Sequence, residues 1–173
     1  YGTMTFRDVV TPALELAEDG FAVSPRLASA LAGAAEQLAG WPESAAAFLP
    51  NGRPLDAGDR MTRPSLAGVF RGMMDAESGA THLGRGPAIR AARDYFYRGD
   101  VAVKMARFCE EEDGYLTKDD MADFAVKVEP AETTRYKDYD VYSCGPWCQG
   151  PSLLQVLNLV EGIDLAGMGH DSP

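Results

Sequence analysis

The sequence predicts a mainly helical α+β chain, in which a helical lobe is followed by the beginning of a sheet. Apolar residues recur at helical spacing, behind recognisable capping residues, from Thr5 to about Phe124. Beyond Phe124 the spacing changes to the alternation that is typical of strands, which predicts strands at Ala125–Glu129 and Thr134–Ser143. A last apolar stretch, Pro151 to Val160, predicts a helix.

Capping residues mark the starts of the helices in the lobe. Thr5-x-x-Asp8 and Thr117-x-x-Asp120 are capping boxes, and Ser24-Pro25 places a capping hydroxyl before a proline at the first helical position. The predicted helices run, in order, from Thr5 to Gly20, Ser24 to Gly40, Pro42 to Phe48, Ser65 to Met74, Ala88 to Tyr97, Val101 to Glu112 and Thr117 to Phe124.

Prolines and glycines predict the interruptions of these helices. Pro12 lies inside the first one and predicts a kink or a later start, because proline lacks the N–H that a helix interior uses. Pro50 to Asp59 is predicted as a loop or tight hairpin, and the glycine-rich Gly79–Pro87 segment as a loop. Gly114 is expected to supply the positive backbone angle that ends the helix before it.

The composition limits the partners of the chain. Its 173 residues suit one domain or one large piece of a longer protein. Acidic residues outnumber basic ones by 26 to 16, the net charge is −10, and the basic residues are scattered. This charge argues against nucleic acid and anionic membranes as partners. No apolar run in the sequence is long enough to predict a transmembrane helix.

The start of the chain carries no targeting information. It opens on Tyr1-Gly2, with neither an initiator methionine nor a signal peptide. We therefore expect both ends to lie inside a longer protein, and these residues leave its cellular compartment undecided.

The cysteines suggest a metal or redox assignment that the rest of the sequence does not support. Cys144-x-x-x-Cys148 is one close pair, whereas structural zinc needs four ligands and usually a second pair. The histidines, His82 and His170, lie far from it in sequence. We interpret the pair as turn cysteines that pack locally, and whether they form a disulfide is a question of geometry.

Two groups of carboxylates are better explained by local structure than by chemistry. Asp119, Asp120 and Asp123 suit helix capping and a solvated helical face. The run Glu110–Asp113 lies at a helix C-terminus, where the macrodipole disfavours anions, and we interpret it as a solvent-facing segment rather than a metal site.

Two glycine motifs are too short to define a binding site. Gly84-x-Gly86 lacks the strand–turn–helix context of a phosphate loop. Gly150-Pro151 precedes a helix and could present N–H groups to an anion, but proline removes one donor, so we interpret it as a corner of the fold. A G-x-S-x-G nucleophile motif does not occur in the sequence. We assign no catalytic, substrate-binding or metal residue.

Phrases along the whole chain resemble, in collinear order, the large-subunit region of γ-glutamyltransferases (γ-glutamyltranspeptidases). They are Tyr1-Gly-Thr-Met4, Val10-Thr-Pro-Ala-Leu-Glu-Leu-Ala-Glu-Asp-Gly-Phe21, Ser24-Pro-Arg-Leu-Ala28, Phe48-Leu-x-x-Gly52, Gly58-Asp-Arg60, Phe96-Tyr-x-Gly99, Gly114-Tyr-Leu-Thr-x-x-Asp-Met-Ala122, Tyr136-Lys-Asp-Tyr-Asp-Val-Tyr142 and Leu153-Leu-Gln-x-Leu-Asn-Leu-Val-Glu-Gly162.

This resemblance implies an N-terminal-nucleophile hydrolase with an αββα sandwich and no cofactor. Residues 1–124 would form a helical lobe of the large subunit, and residues 125–173 would enter the sandwich. A precursor in this family cleaves itself, and the new N-terminal threonine of the small subunit attacks a γ-glutamyl amide such as glutathione. The acyl group then passes to water or an amino acid. The expected partners are thus a small γ-glutamyl substrate and the small subunit, and family members are often periplasmic or secreted.

Residue-by-residue transfer from the family assigns no catalytic residue here. The threonine nucleophile and oxyanion elements are expected beyond Pro173, and the arginine that holds the substrate carboxylate before Tyr1. We therefore expect the chain by itself to be inactive. The alternative from another class is a non-catalytic helical module that binds a protein or small ligand.

The chain departs from the family pattern in ways that bear on its substrate. Many members have a Pro-Pro-Ser-Ser-Gly-Gly corner where this chain has Cys144-Gly-Pro-Trp-Cys-Gln-Gly-Pro151. That form resembles a bacterial branch of the family, for which acylase activity on other amides is the rival prediction. The segment around His82–Arg93 is longer than in typical members, and Asp113 replaces the first glycine of a usual Gly-Gly pair.

Overall fold

The structure, a computed structural model, describes residues 2–170. The chain divides into two units, Tyr1–Phe124 and Ala125–Pro173, which are described separately below.

The first unit is built from helices and one short β-ribbon. Its helices are α1 (Phe6–Asp19), α2 (Pro25–Gly33), α3 (Ala35–Ala39), α4 (Pro42–Phe48), α5 (Pro64–Gly79), α6 (Arg85–Tyr97), α7 (Asp100–Glu111) and α8 (Lys118–Asp123). The ribbon pairs β1 (Phe21–Ala22) with β2 (Arg60–Met61) in antiparallel register, and 3₁₀ turns occupy Pro50–Gly52 and Thr81–Leu83.

Local capping explains where α1 and α2 begin. In α1 the Thr5 side chain accepts a hydrogen bond from the backbone N–H of Asp8, whose carboxylate accepts one from the N–H of Thr5, so the predicted capping box is confirmed. Helix α1 begins at Phe6 and continues through Pro12, so the later start that Pro12 predicted as one alternative does not occur. The Ser24 hydroxyl caps α2 as predicted, but that helix ends early because a break at Ala34 separates it from α3.

A small apolar core lies between the ribbon and α2. Val23, Leu31 and Met61 are buried together. The partly buried residues packed against them are Phe21, Leu27, Ala28, Leu38, Phe48 and Leu55. Strand β2, which follows Pro50–Asp59 directly, pairs with β1. The segment Pro50–Asp59 is therefore part of the long connection that closes this core, and not a hairpin of its own.

Helices α5 and α6 approach each other through small side chains. Ala67 on α5 and Ala88 and Ala92 on α6 are almost completely buried. At Gly72 a Cβ atom would overlap the end of the Tyr95 ring, so only glycine leaves room for that ring as it stands. The missing side chain at Gly72 of α5 thus makes room for the large Tyr95 ring of α6.

Two predictions about the middle of the first unit are wrong. Gly79–Pro87 is not one loop, because α5 extends to Gly79 and α6 begins at Arg85. The positive angle after α7 belongs to Asp113, with φ 55°, and not to Gly114. The N–H of Gly114 donates to the Cys109 carbonyl at 2.6 Å, as in a Schellman motif, so Asp113 takes the left-handed position that glycine usually fills.

The second unit is a β-hairpin with a helix packed against both of its strands. β3 (Glu132–Tyr136) pairs antiparallel with β4 (Tyr139–Ser143), and α9 (Gly150–Val160) contacts both. The Thr134 hydroxyl donates to the side-chain oxygen of Asn158 on α9 at 2.6 Å. A short helix, α10 (Leu165–Met168), follows.

The predicted strands of this unit are only partly correct. Ala125–Glu129 is not a strand, because none of its residues pairs within the described part of the chain. Thr134–Ser143 is not a single strand, since the chain reverses at Lys137, whose φ is 52°. Tyrosines lie on both sides of that turn, at Tyr136, Tyr139 and Tyr142, and this composition favoured the prediction of one continuous strand.

The observed class is mainly helical α+β, which confirms the predicted class. None of the helices within residues 2–170 combines the length and hydropathy that a membrane crossing requires.

Candidate functional site

The most distinctive local structure is the corner between β4 and α9, defined here as residues 144–150. The N–H of Cys148 donates to the Gly145 carbonyl at 3.1 Å and closes a tight turn. Gly150 is buried, and a Cβ atom on it would overlap the carbonyl oxygen of Cys144. The two ends of the corner therefore touch, and glycine is required at the point of contact.

A shallow cleft of 560 Å³ opens beside the corner. Cys144, Trp147 and Lys127 line it, together with Glu129. The Trp147 side chain is 80% exposed, and the Lys127 ammonium lies 5.5 Å from the centre of its ring. At that distance the ammonium is in reach of the negative face of the ring. The cleft thus combines an exposed aromatic surface with one positive and one negative side chain.

The three cysteines differ in their surroundings. Cys144 and Cys148 are free and exposed at the corner, whereas Cys109 is free and half-buried on α7. The group of His, Cys, Asp and Glu side chains that a metal ion would need does not occur among residues 2–170. Cys144 and Cys148 flank one turn as predicted, but they are exposed and not packed locally, and no disulfide joins them in the structure.

The carboxylate cluster at α8 is a capping structure. The Asp120 carboxylate accepts hydrogen bonds from the backbone N–H and the hydroxyl of Thr117, at 2.9 and 2.6 Å. These bonds, first that of the Thr117 side chain and then that of its backbone, hold the pKa of Asp120 below its ordinary value. Asp119 and Asp123 are exposed.

The run Glu110–Asp113 is also exposed, at the end of α7. Glu111 pairs with Arg107 one turn earlier, at 3.1 Å. Such an exposed pair contributes little stability, and it agrees with a solvent-facing segment.

The remaining sequence candidates lie apart from the corner and from one another along the chain. His82 is exposed in a 3₁₀ turn, and Gly84, with φ 96°, connects that turn to α6. The next residue, Arg85, donates to the Met4 carbonyl and so ties the start of α6 to the segment before α1. His170 is exposed at the end of the described residues.

Sequence reasoning missed one buried charged residue. Glu77 on α5 is only 5% exposed, and its carboxylate accepts hydrogen bonds from the N–H groups of Phe6 and Arg7, at 2.6 and 2.9 Å. It therefore caps α1 from another helix. The sequence carries no signal for this contact, because the partners lie about seventy residues apart and neither segment has a motif that names the other.

A second cleft, in the first unit, is apolar. It has a volume of 420 Å³ and lies between α5 and α6, with Phe70, Ile89 and Phe96 among its lining residues. One charged side chain, Arg93, lines it, and the Arg93 guanidinium is paired with Asp94 at 2.8 Å. This groove offers apolar contact area rather than a reactive group.

Solved structures with the same fold include a transpeptidase and an acylase. The gamma-glutamyltranspeptidase of Helicobacter pylori matches 99% of this chain and 45% of its own, with TM-score 0.81 and 28% identity. A cephalosporin acylase from Bacillus halodurans matches 94% of this chain and 28% of its own, with TM-score 0.76 and 27% identity. The chain therefore shares its fold with enzymes of the gamma-glutamyltranspeptidase and cephalosporin acylase type.

Comparison of sequences defines the family. The family model described as gamma-glutamyltranspeptidase matches residues 1–173, and the chain belongs to this family. The glutathione hydrolase proenzyme of Escherichia coli is 33% identical over 99% of this chain, and the acylase ACY 1 proenzyme of a Pseudomonas species is 28% identical over 99%. The chain spans about a quarter of the length of these relatives, 27% and 28% respectively, and is therefore a partial region of a protein of this family.

Proposed function

We propose that the protein containing this chain transfers or hydrolyses γ-glutamyl amides or related acyl amides, glutathione among them. The observation that carries this proposal is the match of the gamma-glutamyltranspeptidase model to residues 1–173, without a remaining segment that needs another explanation. The nucleophile in this proposal is a threonine outside the chain, at the N-terminus of a small subunit that self-cleavage of the precursor releases.

The chemistry of such a nucleophile is sound without a cofactor. The α-amine of an N-terminal threonine has a pKa near neutrality, so it can take the proton of its own hydroxyl while that oxygen attacks the amide carbonyl. The resulting α-ammonium gives that proton to the departing amine of the substrate, and the acyl group stays on the threonine oxygen as an ester. The ester then passes the acyl group to water or to an amino acid, and the threonine hydroxyl is restored. The residues of this chain take no covalent part in these steps.

The proposed role of this chain is to scaffold the site. Residues 1–124 form a helical lobe of the large subunit, and residues 125–173 contribute a hairpin and a helix to an αββα sandwich. The hairpin supports this role because β3 and β4 pair only with each other within the described residues, which leaves an outer edge on each strand.

Acylase activity on other amides is the second candidate. The observation that favours it is the corner at Cys144–Gly150, which differs from the Pro-Pro-Ser-Ser-Gly-Gly form of many family members. A named acylase is also among the relatives, at 28% identity, and the glutathione hydrolase of Bacillus subtilis has the same identity to this chain. A panel of γ-glutamyl, glutaryl and simple fatty acyl anilides separates the two candidates.

Self-cleavage of the natural full-length protein is the first test. Intact mass measured before and after incubation should show two fragments, the second beginning with threonine, and replacement of that threonine by alanine should abolish both cleavage and amide hydrolysis. A precursor that never splits would contradict the proposal and favour a binding module. Residues 1–173 expressed alone should release no anilide from a γ-glutamyl substrate, and detectable turnover would contradict the scaffolding role.

A further inference from the structure

The two cysteines at the corner are unusual in being exposed together. Cysteine is among the residue types that are most often buried, and Cys109 on α7 is half-buried in keeping with this tendency. Cys144 instead lies exposed directly before a tight turn, and Cys148 lies exposed at its end. Neither thiol contributes to the core of its unit, so packing does not explain the pair.

The backbone of the corner holds the two cysteines close to each other. The hydrogen bond from the Cys148 N–H to the Gly145 carbonyl, 3.1 Å long, closes the turn directly after Cys144. Gly150 lies against the Cys144 carbonyl, so the chain returns to its starting point two residues after Cys148. The two residues from Cys148 to Gly150 span at most about 7 Å. Because Gly150 touches the Cys144 carbonyl, this length also limits how far Cys148 can lie from Cys144. A disulfide requires Cα atoms about 4.4–6.8 Å apart, so the proposal needs this turn to bring Cys144 and Cys148 to that distance.

The cleft next to the corner gives a small molecule access to one of these thiols. Cys144 lines the cleft, and Lys127 and Glu129 place a positive and a negative charge on it. Cys148 is not among the residues that line this cleft. A zwitterionic amino acid or peptide carries complementary charges, and the exposed Trp147 ring offers it an apolar surface.

We propose that the corner is a thiol–disulfide exchange site for low-molecular-weight peptide disulfides, with Cys144 as the attacking and Cys148 as the resolving cysteine. The Cys144 thiolate attacks one sulfur of the small disulfide and forms a mixed disulfide, and the other half leaves as a thiolate that takes up a proton. The Cys148 thiolate then attacks the Cys144 sulfur and releases the second half as a thiol. Two electrons pass from the cysteines to the small disulfide, and both cysteine protons end on the released thiols.

The test uses the natural full-length protein, with oxidised glutathione as the probe. After incubation under native conditions, remaining thiols are blocked by alkylation, and unreduced peptides are mapped by mass spectrometry. We expect one peptide in which Cys144 and Cys148 are linked, with the loss of two hydrogens and without a bound glutathionyl group. Cys109→Ser is the matched control and should form the same link to the same extent.

Single replacements distinguish the two roles. Cys148→Ser should retain one glutathionyl group on Cys144, because the resolving thiol is gone. Cys144→Ser should react with the probe at least about tenfold more slowly at Cys148 than Cys148→Ser reacts at Cys144, because Cys148 lies outside the cleft whose charges and aromatic ring would hold the probe. Equal rates in the two variants would overturn the assignment of roles.

A comparison of the native protein with the unfolded chain tests whether the fold favours the link between Cys144 and Cys148. In the native protein the backbone of the turn is already ordered, whereas in the unfolded chain closing the link must also order that backbone. We therefore expect the equilibrium constant for closing the link to be at least about tenfold larger in native protein than in denaturant. Equal constants, full alkylation of both cysteines after oxidation, or a link to Cys109 would overturn the proposal. These readouts do not depend on amide hydrolysis, so their failure is distinguishable from failure of the proposed function.

Discussion

Glu77 shows how a single buried carboxylate can set the start of a distant helix. Its two oxygens accept the N–H groups of Phe6 and Arg7, which have no partner within α1 because they belong to its first turn. A negative charge at this end of a helix also interacts favourably with the macrodipole. The contact therefore joins α1 to α5 by hydrogen bonds in addition to apolar packing.

Replacement of Glu77 tests this role. In Glu77→Gln one carboxylate oxygen becomes an amide that can only donate, so one N–H of α1 loses its acceptor and faces another donor. We expect the free energy of unfolding to fall by about 1–3 kcal/mol, as measured by urea denaturation. Hydrogen exchange at Phe6 and Arg7 should accelerate at the same time.

Asp75→Asn is the matched control on the same helix. Asp75 pairs with Arg7 at 3.3 Å, but its side chain is 77% exposed. Its replacement should change the stability by less than about 0.5 kcal/mol. If the two variants were equally stable, the capping role of Glu77 would be wrong.

Asp120 predicts a pH dependence at the start of α8. Its pKa in the folded chain lies below the ordinary 3.8, because the Thr117 hydroxyl and N–H donate to the ionised form. A lowered pKa in the folded state stabilises the fold above the unfolded pKa, and this contribution is lost as the pH falls through the folded pKa. Asp120→Asn should therefore lower the urea midpoint at pH 6, and the difference from the parent should shrink below about pH 4.

Asp123→Asn serves as the comparison for that titration, since Asp123 is exposed on the same helix. Its urea midpoint at pH 6 should equal that of the parent protein. A loss in Asp120→Asn that stayed constant down to pH 2.5 would mean that the capping bonds do not depend on the charge, in contradiction to this account.

At the scale of elements, the corner determines how α9 follows β4. Gly150→Ala would place a Cβ atom onto the Cys144 carbonyl oxygen, and this backbone atom cannot turn aside as a side chain can. We expect a loss of about 1–3 kcal/mol, seen as faster hydrogen exchange along α9. Gly162→Ala is the control, because a Cβ atom there meets nothing within 4 Å. Equal exchange in the two variants would show that the corner tolerates a side chain.

Helix starts were more predictable than strands for a physical reason. The boxes at Thr5 and Thr117 and the cap at Ser24 use hydrogen bonds between residues three apart, so the sequence itself contains both partners. A strand needs a partner from elsewhere, and alternation alone does not name it. For that reason the hairpin turn at Lys137 was missed, and the strand predicted at Ala125–Glu129 has no partner in the described residues.

At the scale of the whole molecule, this chain is a partial region of a family protein, and its surface is consistent with that. Large apolar side chains are exposed in the second unit, where Val128 is 99% and Leu159 78% accessible. The rest of the protein is a natural source of cover for such residues. For the candidate site, the sequence identified the corner and its cysteines, and it assigned no catalytic residue.

The sequence by itself determined the helical class, the capped helix starts and the family, because these depend on residue types at short spacing and in collinear order. Only the tertiary structure decided that Glu77 caps α1, that Asp113 and not Gly114 takes the left-handed position, and that Gly150 closes the corner against Cys144. Each of these depends on which atoms the folded backbone brings together. Contacts of that kind arise from packing between segments, and a local pattern of residues does not encode them.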